Sequence, residues 1–276
     1  MSILNKLYID KHPCFSNRRE TLWHRIHLPV APNCNVKCAF CSHLIGSSCH
    51  TSKPGFSSQL MSPEVAASRA LLEINLDPRI SIVAVSGPGE PLANSETFET
   101  FELIRERTRD IHFCLSTNGT LLSEKVQWLR MMGFKTLTVS MSTANPSTAS
   151  RIYEWAVISE KRMTGERMGQ IIVDSQLRGI SDAANAGLTV KVNTILIPGF
   201  NQEDIIDLAE SVSDAGAAIQ NIVPLVPNDR LSSLLSPSKE AIEEARKQAA
   251  EHIKQFRHCK QCRSDVVGLP GCDVIL

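Results

Sequence analysis

The chain has 276 residues, with 29 basic and 29 acidic side chains for a formal net charge of zero, 42% hydrophobic and 21% charged residues. This is the balance of an ordinary globular protein able to bury a sizeable core, and residues 1–276 read as a single domain. No basic block favours nucleic acid or an anionic membrane, and no long apolar run or export-signal pattern predicts a membrane span or secretion. Nine cysteines without an export signal point to a reducing, cytoplasmic setting, where thiols serve metals more often than disulfides.

In chain order, an N-terminal extension over residues 1–23 carries Cys14 within HPC and leads to a first strand, Arg25–Pro29, that contains His27. Directly after it, APNCNVKCAFCSH sets Cys34, Cys38 and Cys41 at C-x3-C-x2-C spacing. In a chain with this many cysteines, chance gives that spacing only about 0.01 times. Zinc sites favour paired C-x2-C units with a distant second pair. Three thiolates this close instead suit three corners of a cubane [4Fe–4S] cluster, leaving the fourth iron open. S-adenosylmethionine (SAM) can chelate that iron, and one electron into its sulfonium releases a 5′-deoxyadenosyl radical. The triplet thus predicts a radical SAM enzyme, with Cys34, Cys38 and Cys41 as catalytic metal ligands on a loop.

A helix at Pro63–Leu76, capped by Ser62, precedes a second strand at Ser81–Ser86. This strand runs into Gly87-Pro88-Gly89-Glu90, where two glycines allow close backbone approach and Glu90 offers an acceptor to the SAM ammonium group. A helix at Glu96–Arg107 and a third strand at Ile111–Ser116 follow; Cys114 lies within that strand, with Ser116 and Asn118 at its end. Then come a helix at Ser123–Met132, a fourth strand at Thr136–Ser142 with Ser140, and a helix at Gly169–Ala186. The fifth strand, Thr189–Ile195, carries Asn193 and Ile195; a helix at Glu203–Ala215 and a sixth strand at Ile219–Val223 complete the alternation. Gly133, Gly187 and Gly216 stop three of the helices. Such βα alternation predicts an α/β fold: a partial (β/α)6 barrel over about residues 24–224, binding its ligand at the C-terminal strand ends. Gly87, Gly89, Glu90, Ser116, Asn118, Ser140, Asn193 and Ile195 are the expected SAM contacts. Residues 225–276 add a helix at Ser238–Phe256 and a tail with Cys259 and Cys262, while Cys272 is the expected spare thiol.

Singly, the remaining ligands have plain readings: a small buried hydrophobe for Cys114, a core histidine for His27, half a zinc knuckle for the tail pair. Together, Cys14, His27, Cys49, Cys114, Cys259 and Cys262 suffice for two further [4Fe–4S] clusters with three ligands each.

HPCFS, RIHLPVAPNCNVKCAFC, GPGEPLAN, CLSTNG, VNTILIPGFN, NIVPLVP and RHCKQCRSDVVGL, in that order from about His12 to Leu269, resemble the NifB family of nitrogenase cofactor biosynthesis. The resemblance implies a radical SAM barrel with N- and C-terminal cluster-binding extensions. It implies fusion of two [4Fe–4S] units, with carbide and sulfur insertion, into an eight-iron precursor. One SAM would donate a methyl group and a second would supply the radical. On this resemblance Cys14, His27 and Cys114 hold one substrate cluster and Cys49, Cys259 and Cys262 the other. Implied partners are SAM, iron–sulfur cluster donors, an electron donor such as a ferredoxin, and downstream carrier or scaffold proteins. The chain departs from the family in SHLIGSS between Cys41 and Cys49, in HTSKPG, which lacks an expected glutamate, and in VSMSTANP at the fourth strand. The alternatives are another radical SAM enzyme using auxiliary clusters on a peptide or small molecule, and an iron–sulfur carrier, which would need no SAM pocket.

Overall fold

The computed structural model describes residues 9–16, 23–42, 45 and 55–276. Six parallel strands form its centre: β1 (His24–His27), β3 (Ile80–Val85), β4 (His112–Thr117), β5 (Thr136–Ser140), β8 (Thr189–Leu196) and β9 (Ile219–Pro224), adjacent in that order. They match the six strands expected from the sequence. The sheet is open, not closed into a barrel. Beyond β1, two antiparallel strands, β10 (Val266–Gly268) and β11 (Val274–Ile275), extend its edge.

Helices α1 (Pro63–Leu76), α2 (Ser95–Arg107), α3 (Leu122–Met131), α5 (Gly165–Asn185) and α6 (Ile205–Asp214) connect the parallel strands, and α7 (Lys239–Ala249) follows β9. Ser62 caps α1 through a bond from the Val65 amide at 3.4 Å, as its sequence predicts. Gly133, Gly187 and Gly216 take φ of +83°, +85° and +94°, the left-handed conformation that ends α3, α5 and α6. The last helix is shorter than expected, ending at Ala249. A short α4 (Pro146–Ile152), capped by Asn145, was not anticipated. Neither was a three-stranded antiparallel sheet of β2 (Val36–Cys38), β6 (Tyr153–Ile158) and β7 (Lys161–Met163). Cys38 therefore ends a strand instead of lying on a loop.

Strand side chains alternate, and this parity divides the interior. Ile26, Leu28, Val83, Val85, Phe113, Leu115, Leu137, Val139, Val190 and Val192 belong to the large core between sheet and helices. Their neighbours face the other way: Arg25 and His27, Ile82 and Ala84, Cys114, Lys191 and Asn193, Ile219 and Asn221. A second, smaller apolar cluster occupies this inner face, made of Phe15, Ile82, Ala84, Cys114, Ile219 and Phe256, with Cys14 and Cys259 packed against it. The segments around Phe15 and Phe256 thus meet on this inner face of the sheet.

Candidate functional site

The cysteine triplet is held by elements on three sides. The Ala39 amide donates to the Ile152 carbonyl at 2.8 Å, and the Leu231 amide donates to the Ala39 carbonyl at 3.2 Å. Lys37 ties the turn by bonding both the Cys41 carbonyl and Asp229. Cys38 stands opposite Tyr153 across β2 and β6. Burial pushes the Cys34 thiol up to about 12, against hydrogen bonds from the Val36 amide and the Asn118 side chain. Burial also raises Cys38 well above the ordinary thiol value, and Cys41 and Cys34 add to the rise. Two thiols this desolvated, Cys34 and Cys38, stay protonated unless a bound cation stabilises their thiolates, so the donor set fits an iron–sulfur cluster.

The turn after β3 packs directly on the triplet's loop. The Gly89 amide donates to the Ala31 carbonyl at 2.7 Å and the Glu90 amide to the Asn33 carbonyl at 2.8 Å. The Asn94 side chain completes the clasp, donating to the Asn33 carbonyl at 2.8 Å and the Glu90 carbonyl at 2.7 Å. The close approach expected at Gly89 is made to the chain's own Asn33. Glu90 is only 2% exposed, and its carboxylate accepts from the Leu92 amide (3.0 Å), the Thr117 hydroxyl (2.5 Å) and the Asn118 amide (2.6 Å). It therefore joins the turn after β3 to the turn after β4. The Asn118 side chain in turn donates to Asn35 at 2.8 Å, next to Cys34.

Burial, outweighing those three hydrogen bonds, pushes the Glu90 carboxyl up to about 7 from its ordinary 4.5. An acid with a raised folded-state pKa holds its proton more tightly in the fold than in the unfolded chain. Its contribution to stability therefore falls as pH rises from about 4.5 to about 7. Glu90→Gln will flatten this slope between pH 5 and pH 8 in denaturant titrations. It will also lose about 1–3 kcal/mol at pH 5, because its amide donor must face one of the two backbone amides.

The other expected SAM contacts lie at the same ends of the parallel strands. Gly87 follows β3; Ser116 and Asn118 close β4; Ser140 closes β5; Asn193 and Ile195 lie near the end of β8. Ser140 and Asn193 are register partners, and Asn193 and Asn221 bond side chain to side chain at 2.8 Å. Gln176 of α5 was not anticipated: it donates to the carbonyls of Asn118 (2.7 Å) and Ser140 (3.0 Å), linking two of these strand ends. Its signal was weak, a single polar residue on the buried face of a helix.

On the inner face, His27, Ala84 and Cys114 stand side by side in register across β1, β3 and β4. Two strand spacings separate His27 from Cys114, about 10 Å between backbones, with only an alanine methyl between them. The His27 Nδ1 lies 3.0 Å from the Arg263 carbonyl, which can only accept, so Nδ1 carries the proton and Nε2 keeps its lone pair. Burial and then the Arg25 charge pull this imidazole down to about 3, leaving it neutral. Neutral, with one nitrogen anchored on a carbonyl, is the state of a metal-bound histidine.

Burial pushes the Cys114 thiol up to about 12 and the Cys262 thiol up to about 11, and Cys14 lies close enough to both to add to the rise. Arg25 is fully buried, donates to the Gly268 carbonyl at 2.8 Å, pairs with Asp273 and hydrogen-bonds Cys262. It was not singled out in the sequence. The structure thus brings Cys14, His27, Cys114, Cys259 and Cys262 to one face; Cys49 lies outside the described residues. Cys272 is exposed. Among the described residues, no three His, Cys, Asp or Glu side chains converge as ligands of a single metal ion would.

The radical SAM superfamily model matches residues 28–212. The FeMo cofactor biosynthesis protein NifB of Methanocaldococcus infernus is 36% identical over 261 residues, covering 95% of this chain and 86% of that protein. The protein of the same name from Klebsiella pneumoniae is 37% identical over 282 residues, covering 99% of this chain and 60% of its own length. Among solved structures, methylornithine synthase (PylB) has the same fold at a TM-score of 0.56 and 13% identity, over 92% of this chain and 78% of its own. The fold, the triplet and these similarities agree: the chain belongs to the NifB family of the radical SAM superfamily.

Proposed function

We propose that the chain is a nitrogenase cofactor-precursor synthase, a radical SAM enzyme that fuses two [4Fe–4S] clusters, with carbide and sulfur insertion, into an eight-iron product. Its NifB relatives, named for FeMo cofactor biosynthesis, support this reading. One observation carries it: a second set of soft ligands, Cys14, His27, Cys114, Cys259 and Cys262, lines the inner face of the parallel sheet whose first strand leads into the radical SAM triplet. Residues 1–276 act as one domain, in which the two extensions bring substrate-cluster ligands onto an open, partial barrel at about residues 24–224.

A [4Fe–4S] cluster bound at Cys34, Cys38 and Cys41 would supply the electron that cleaves SAM to a 5′-deoxyadenosyl radical. Around it, Glu90 and Asn118 hold together the two turns that would face SAM. Gly87, Ser116, Ser140, Asn193 and Ile195 offer contacts to the rest of that molecule. Phe15 and Phe256 close the inner face against water. The Nε2 of His27 grips one substrate cluster more weakly than a thiolate would, which suits a cluster that must be released. Cluster donors, a ferredoxin-like electron donor and a downstream carrier protein are the partners this chemistry requires. Among the described residues, no helix is long and apolar enough to cross a membrane.

Iron and sulfide counting on anaerobically purified protein tests the reading. Three cubanes correspond to about twelve irons per chain. The Cys259→Ala/Cys262→Ala double variant will lose about four of them and still cleave SAM. Unchanged iron content in that variant would contradict the assignment.

A further inference from the structure

Lys191 is the only charged residue in β8, and its parity turns it to the inner face beside Asn193. It is 4% exposed. Its Nζ donates to the Cys14 carbonyl at 2.9 Å and lies 4.9 Å from the centre of the Phe15 ring and 5.3 Å from that of Phe256. Among the described residues no carboxylate forms an ion pair with it. Cys114, His12 and His27 lie within reach of its charge, which acts on each less strongly than burial does.

Taking an ammonium out of water is costly, and one carbonyl with two aromatic faces offsets only part of that cost. A buried cation without a carboxylate implies that its counter-charge forms only in the working protein. Cys14, whose carbonyl the ammonium bonds, and Cys114, within reach of its charge, are the groups that can provide it.

We propose that Lys191 is a positioning residue whose ammonium is the fixed counter-charge to the Cys14 and Cys114 thiolates when they hold a substrate cluster. This rests on the cluster-fusing reading above. His27 contributes no charge as a ligand, so the two thiolates need nearby cations. Arg25 is also close to Cys14 but is already paired with Asp273, which leaves Lys191 as the cation without a carboxylate partner. A fixed cation there offsets the negative charge that the two thiolates bring to the buried cluster. It also favours the reduced cluster, which carries one more electron.

The test uses the full chain with Lys191→Met, close in shape and uncharged, and Lys191→Arg, which keeps the charge. In the iron-free protein Lys191→Met will melt at a higher temperature than the parent, because an uncompensated buried charge has been removed. In the loaded protein the sign reverses, and Lys191→Met will surrender iron to a chelator faster than the parent. The potential is read by EPR-monitored titration in a background of Cys38→Ala with Cys259→Ala and Cys262→Ala, which leaves the cluster at Cys14, His27 and Cys114. There, Lys191→Met will favour the reduced state about tenfold less, a fall of about 59 mV. Lys191→Arg will stay close to the parent in all three measurements. A Lys191→Met protein that melts lower with and without iron, or whose potential equals the parent's, would overturn the proposal. A parent holding only about four irons per chain would refute the cluster-fusing reading and this inference with it. A parent holding about twelve, with Lys191→Met unchanged, would refute the role of Lys191 alone.

Discussion

Cys38→Ala will abolish release of 5′-deoxyadenosine from SAM while leaving the fold intact. The thiol sits at the end of β2, where the backbone pairing with β6 and the bond from the Ala39 amide to Ile152 do not involve the side chain. Removing one sulfur therefore costs little packing. It leaves two ligands where a cubane with one open iron needs three, and the cluster that delivers the electron is lost. The check is chromatography of the nucleoside products under anaerobic reduction, beside a circular dichroism spectrum to confirm folding. Parent levels of 5′-deoxyadenosine from a folded variant would sink the radical SAM chemistry assigned to the triplet.

Gly89→Ala will be nearly as damaging, for a steric reason. A β-carbon at this position would lie 2.1 Å from the Asn33 carbonyl oxygen, 2.6 Å from its carbon and 2.9 Å from the Ala31 oxygen. All three are backbone atoms, so no side chain can move aside. The turn must withdraw and break the bonds from the Gly89 and Glu90 amides, and Asn33 immediately precedes Cys34. Overpacking of this kind costs about 3 kcal/mol, and SAM cleavage will fall with it because Glu90 and Cys34 no longer share a fixed geometry. Gly187→Ala is the control. Its φ is +85° but nothing lies within 4 Å, so only the left-handed backbone penalty of about 1 kcal/mol applies. Equal midpoints for the two variants in denaturant would contradict the argument.

The parallel strands were legible because each is a short apolar run ended by a turn residue, and six helices were legible from their periodicity and caps, the last of them drawn too long. The β2–β6–β7 sheet was not. Its hairpin turns on Ser159 and Glu160, with φ of +48° and +64°, where Asn-Gly would be the usual signal. β2 is three residues inside a cysteine loop, too short to show alternation. α4 has its Asn-Pro cap but only seven residues, less than periodicity needs. At the site, the cysteine spacing announced its chemistry. Arg25 and Lys191 were harder to see, since a single charge in a strand reads as a solvent-facing position until the sheet shows that both faces are covered. Glu90 was expected to face the SAM ammonium, and the sequence could not reveal that Leu92, Thr117 and Asn118 already bond its carboxylate.

The central claim is that the inner face holds substrate clusters through Cys14, His27 and Cys114. Pulsed EPR of the reduced protein before SAM is added tests it most directly, because His27 is the single nitrogen ligand in the proposed set. The account predicts a nitrogen coupling to a reduced cluster that disappears in His27→Ala while the signal of the SAM cluster remains. A coupling that survives in His27→Ala, or a parent that shows none, would contradict it.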